Sequence, residues 1–94
     1  MMMKTVLKKL GVFKNIVTEG TNNTWVYFEN GNLLVSYSSI IVVRLFKDKK
    51  VQVYLNRAVW DYSNTTGKHR NAFLFEDKKT TQAKINNGTY KLIK

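Results

Sequence analysis

The sequence predicts an α+β fold: a small antiparallel β-meander of four to five strands with short helices packed on one face. Three observations carry that prediction. Apolar residues alternate with period two between residues 24 and 56, Asn30-Gly31 breaks the alternation as a hairpin signal, and near residue 60 the chain turns from strand-like to helix-like. The chain has 94 residues, 44% of them hydrophobic, and no proline or cysteine, so residues 1–94 read as a single domain with one thin core and no disulfide staple.

Met3, Val6, Leu7 and Leu10 stand at helical spacing with Lys4, Lys8 and Lys9 beside them, and Gly11 follows as a helix-ending residue. The expectation is a short basic amphipathic helix lying on the sheet with its lysines in water. Val12 to Thr18 reads as a first strand and Glu19 to Asn23 as a loop. Around Asn30-Gly31 a type I′ turn would pair Phe28 with Leu33 and Val26 with Val35. In that register Val26, Phe28, Leu33 and Val35 form an apolar face expected to be core, while Trp25, Tyr27, Leu34 and Ser36 form a mixed one.

Ser39 to Phe46 is β-branched and apolar on both faces, as a central strand covered from two sides would be. Lys47 to Lys50 turns the chain, and Val51, Val53 and Leu55 alternate with Gln52, Tyr54 and Asn56. Asp61 to Thr66 offers several capping side chains ahead of a short helix over 66–76, with His69, Ala72, Phe73 and Glu76 on one face. Asp77 or Thr80 is placed to cap another helix ending at Asn86 before Gly88, and Tyr90 to Lys94 closes as a strand.

Sixteen Lys and Arg against six Asp and Glu give a net charge of +10, a field that attracts nucleic acid, anionic lipid or an acidic protein surface. The excess is spread along the chain, so any basic patch is assembled by folding. The start has no apolar stretch of secretory length, and Leu33 to Phe46 is broken by Ser36, Ser38, Ser39 and Arg44, so no membrane partner and a cytoplasmic setting are expected.

Ser36-Tyr37-Ser38, the run Trp60-Asp-Tyr-Ser-Asn-Thr-Thr-Gly-Lys-His-Arg-Asn-Ala-Phe-Leu and the closing Lys84-Ile-Asn-Asn-Gly-Thr-Tyr make a recognisable string. It resembles a family of small proteins carried by bacteriophages and other mobile elements, whose recurring core is Trp-x-Tyr-Ser-x-Thr-Thr-x-Lys-His followed by Phe-Leu. The likeness spans roughly residues 33–93, and Phe75 stands where that pattern more usually has glycine. It implies a genomic setting rather than a chemistry.

Catalysis has little material. Asp61, Ser63, Lys68 and His69 are the only hydrolase-like grouping; no nucleophile elbow accompanies them, and capping of a helix accounts for the Asp and Ser. No cofactor motif is present, and a lone histidine without cysteines makes no metal site. Two binding constellations remain. Thr65, Thr66, Lys68, His69 and Arg70 at a helix start would cradle phosphate, or would simply be a capped, solvated helix start. Trp25, Tyr27 and Tyr54 with Arg44, Lys47, Lys49, Lys50 and Arg57 would form stacking rings amid phosphate-contacting charges, or a second core face. The expected function is therefore non-enzymatic: a mobile-element accessory protein that engages host nucleic-acid-handling machinery, for instance an anti-CRISPR or other anti-defence inhibitor on a nucleoprotein or acidic surface. The alternative is direct DNA or RNA binding. A homodimer through the mixed sheet face is a third possibility.

Overall fold

The computed structural model describes residues 2–94. Helix α1 (Met3–Lys8) leads into five strands, β1 (Phe13–Gly20), β2 (Asn23–Phe28), β3 (Gly31–Ser36), β4 (Ser39–Lys47) and β5 (Lys50–Asn56). Helices α2 (Asn64–Leu74) and α3 (Lys78–Asn86) then return the chain to β6 (Tyr90–Ile93). The six strands lie side by side in sequence order. The first four pairings are antiparallel and the last, β5 with β6, is parallel. The sheet is thus mixed rather than an antiparallel meander of four to five strands. The two helices between β5 and β6 bring the chain back in the same direction, which a tight hairpin cannot do.

The helices also divide between the two faces instead of sharing one. On one face α2 and α3 cover Leu34, Ile41, Val42, Val53, Leu55 and Tyr90, with Phe73 inserted from α2. On the other, α1 inserts Val6 and Leu10 against Leu33, Val43, Leu45 and Ile93. Ile40 to Val43 is therefore a central strand covered from both sides, as its composition requires. A six-residue helix is only about 9 Å long, so α1 reaches the middle of the sheet and no further. Val26, Phe28 and Val35, expected as core, remain half-buried, while Phe13 and Ile16 on the edge strand β1 are exposed.

The β2–β3 register is offset by two residues from the one a type I′ Asn30-Gly31 turn would impose. Phe28 pairs with Gly31 and Val26 with Leu33, leaving Glu29 and Asn30 as the loop. An even offset keeps every side chain on its face, so the two predicted faces survive. Long-range contacts account for the shift. A Cβ at Gly31 would collide with the Arg44 carbonyl, so glycine is needed in the strand rather than in the turn. The turn itself is seated by Asn30 N–H on the Leu10 carbonyl (2.9 Å) and by Phe46 N–H on the Asn30 carbonyl (2.8 Å). The doubly left-handed turn that I′ geometry demands occurs instead at Asp48 and Lys49, with φ of 52° and 65°.

Ser63 caps α2, its hydroxyl accepting from Thr66 N–H at 3.1 Å, and Asp77 caps α3 by accepting from Thr80 N–H at 2.8 Å. The second helix ends at Leu74, two residues short of the expected 76, because Phe75 adopts the left-handed conformation that closes it.

Candidate functional site

The Trp60 to Leu74 signature resolves into a staple between α2 and the sheet. From the buried face of α2, Thr66 and His69 both reach Ser36 at the end of β3. The Thr66 and Ser36 hydroxyl oxygens are 3.2 Å apart, and His69 Nδ1 lies 2.8 Å from Ser36 Oγ. Burial lowers the His69 pKa below its ordinary value, so near neutral pH the ring is uncharged and hydrogen-bonds the Ser36 hydroxyl through Nδ1. One turn further, Arg70 is 1% exposed, donates from Nη1 to the Trp60 carbonyl (2.9 Å) and to Asp61 (3.3 Å), and lies over the Trp60 ring. Asp61 also meets Lys78 at 2.7 Å. That hydrogen bond, with Arg70 beside it, outweighs burial and holds the carboxyl below its usual range.

The phosphate cradle expected at this helix start is consequently taken apart. Thr66 and Arg70 are buried, His69 is turned toward Ser36, and only Thr65 and Lys68 face solvent. Packing of a short helix on a sheet draws every third or fourth residue inward, and here those positions include the presumed anion ligands. Ser63, paired in sequence with Asp61 and Lys68 as hydrolase material, is occupied as a cap.

The stacking platform does not assemble either. Trp25 lies half-buried under α2, edge-on to Phe73 with ring centroids 5.1 Å apart, and its indole N–H is taken by Asn23. Tyr27 shares that face, whereas Tyr54 packs on the α1 side of the sheet. Arg44 is half-buried and engaged within the fold. Its Nε donates to Asn32 (2.9 Å), its Nη1 donates to the Phe73 carbonyl (3.0 Å), and its guanidinium sits 3.9 Å above the Phe73 ring. Among the described residues no three histidine or carboxylate side chains gather as a metal site would require.

Most of the unengaged cations lie elsewhere. Lys47 is two residues from core Leu45 on β4 and so shares its face; Lys50 pairs with Lys47, and Lys91 pairs with Tyr54. With Lys4, Lys8 and Lys9 on α1, six exposed lysines stand on the α1 side, and none takes part in an ion pair among the described residues. Lys49 extends the group at the hairpin tip, and exposed Arg57 follows β5. On the helical side Asp61 and Glu76 bind Arg70, Lys78 and Lys84, and Lys68 and Lys79 stay exposed without an ion pair among the described residues. Between α1 and the β4–β5 hairpin, Lys9, Asn30, Leu45, Phe46, Lys47 and Asp48 line an open cleft of about 490 Å³. A second hollow, of about 440 Å³, opens where the β3–β4 turn meets the segment entering α2, and sequence reasoning assigned it no role. Its signal was the paired words Ser36-Tyr37-Ser38-Ser39 and Asp61-Tyr62-Ser63, whose tyrosines both line or border it.

Residues 8–87 match the model of a family described as a family of unknown function (DUF8033), and the chain belongs to that family. No curated protein and no solved structure gives a significant match. Among the described residues no helix is long and apolar enough to cross a membrane.

Proposed function

We propose that the chain is a non-enzymatic binding protein whose working surface is the α1 side of the sheet, and that its partner is an acidic protein surface. The observation that carries this reading is the asymmetry of charge: six exposed lysines without an ion pair stand on the α1 side, against Lys68 and Lys79 on the helical side, where Arg70, Lys78 and Lys84 are ion-paired. The same side also exposes Phe13 and Ile16 beside half-buried Val26 and Phe28. An apolar strip bordered by charge has the anatomy of a protein interface, whereas a phosphate backbone would leave the strip uncovered. Together with the likeness to mobile-element proteins, this supports an accessory inhibitor acting in the bacterial cytoplasm on nucleic-acid-handling machinery of the host, such as a CRISPR effector.

A tagged chain incubated with bacterial host extract tests this directly. The expected complex survives nuclease treatment and is lost in the Lys8→Glu/Lys47→Glu variant. A complex that nuclease dissolves would move the assignment to direct DNA or RNA binding, the reading favoured by the lysine band alone, with affinity falling steeply as salt rises. A complex indifferent to the double variant would contradict the proposed surface. Arg44 is not a fair probe, since its replacement removes contacts that hold α2 to the sheet.

A further inference from the structure

We infer that the hollow between the β3–β4 turn and the start of α2 is a binding pocket for a nucleobase. It lies on the α2 side of the sheet, apart from the lysine surface, so the inference stands independently of the partner proposed above. Its lining includes apolar Ile41 and Val59 and the hydroxyls of Ser38 and Ser39, the Thr66 hydroxyl there being held by Ser36. None of its lining residues is charged, in a chain with sixteen Lys and Arg. The recognised moiety is therefore neutral. Tyr37 and Tyr62, from two different segments, supply aromatic rings that are 52% and 75% exposed. Large aromatic faces at a concave, uncharged site suit a planar ring that stacks, and serine or threonine hydroxyls serve either the donors or the acceptors of a base edge. A sugar ring would instead call for amide or carboxylate partners, and the lining has neither.

The backbone adds a second, independent observation. Tyr37 sits in the two-residue turn between Ser36 and Ser39 with φ 58°, a left-handed conformation that asparagine or glycine adopts at lower cost. Its N–H is held by the Asn22 carbonyl at 2.9 Å, and its ring lies 6.3 Å from His69 at a 39° tilt. Tyr37 thus keeps an aromatic ring half in solvent at the hollow despite its backbone cost. His69, bonded through Nδ1 to Ser36 at 2.8 Å, holds its ring beside Tyr37.

The test is titration of the full chain with adenosine, cytidine, guanosine and uridine, with ribose 5-phosphate as a base-free control, followed by NMR shifts and calorimetry. Saturable binding of at least one nucleoside, and none of ribose 5-phosphate at physiological salt, is expected. Tyr62→Ala is expected to weaken it about ten-fold or more, as loss of a stacking ring does. Tyr37→Asn should weaken binding similarly while unfolding at the same or a higher temperature. A mononucleotide and a short single strand carrying the preferred base separate the source. Tighter binding of the strand points to nucleic acid, and equal binding to a free nucleotide. No saturable shift with any nucleoside at millimolar concentration would overturn the inference, as would equal binding of ribose 5-phosphate or undiminished binding by both tyrosine variants.

Discussion

Arg70 and Phe75 show how far single residues can depart from what their type suggests. Arg70, expected at a helix start, lies in the middle of α2 as a structural core residue whose guanidinium joins Trp60, Asp61 and Asn71. Phe75, an aromatic, is 95% exposed and left-handed with φ 57°. Since its side chain packs on nothing, replacing it by glycine removes backbone strain at no cost in contacts. Phe75→Gly is expected to stabilise the fold by roughly 1 kcal/mol, raising Tm by about 4–8 °C. A lowered Tm in calorimetry would mean that the ring has a role in the folded chain that its exposure does not reveal. The closing role of this position was not read from the sequence, whose helix was expected to run on to 76. Nor was the burial of Arg70, since it depends on the Trp60 carbonyl and ring lying across the helix start, a contact that residue order alone does not specify.

At the scale of elements, the corner between α2 and α3 is tied to β6 by Glu76. Its carboxylate, only 8% exposed, accepts from Lys84 Nζ and Thr81 Oγ1, both at 2.7 Å, and from the Tyr90 hydroxyl at 2.9 Å. Burial by itself would raise its pKa; the donors from Lys84, Thr81 and Tyr90 outweigh burial and hold it below the ordinary range. A carboxylate depressed in the folded state contributes stability in full above its unfolded pKa of about 4.3 and loses it as pH falls through the folded value. Glu76→Gln is therefore expected to lower stability by roughly 2 kcal/mol at pH 7. In urea unfolding the gap from the parent should hold down to about pH 5 and close below about pH 4. A gap constant with pH would show that the charge of Glu76 contributes nothing. The elements themselves were largely readable from period and capping chemistry, with Ser63, Asp77 and the two sheet faces where local rules put them. Their assembly was less so. The β2–β3 register follows from the Gly31 approach to Arg44, and the split of the helices follows from which face each can reach, and both are contacts between distant parts of the chain.

Across the whole molecule, charge is partitioned by the sheet. Positive residues are scattered evenly along the sequence, so no stretch announces a binding face. Folding places Lys4, Lys8 and Lys9 over the same side as Lys47, Lys50 and Lys91, while Asp61 and Glu76 neutralise cations on the helical side. The body is a flattened 32 × 31 × 22 Å, so the α1 side offers a broad, predominantly positive surface to a partner. The most direct measurement is anisotropy of labelled poly-L-glutamate, a plain acidic polypeptide, titrated at physiological salt with two variants that remove the same charge. Lys8→Glu/Lys47→Glu is expected to abolish most of the binding, and Lys68→Glu/Lys79→Glu, on the helical side, to leave most of it. Equal losses in the two variants would show that net charge alone draws the polyanion and would contradict a dedicated binding face on the α1 side.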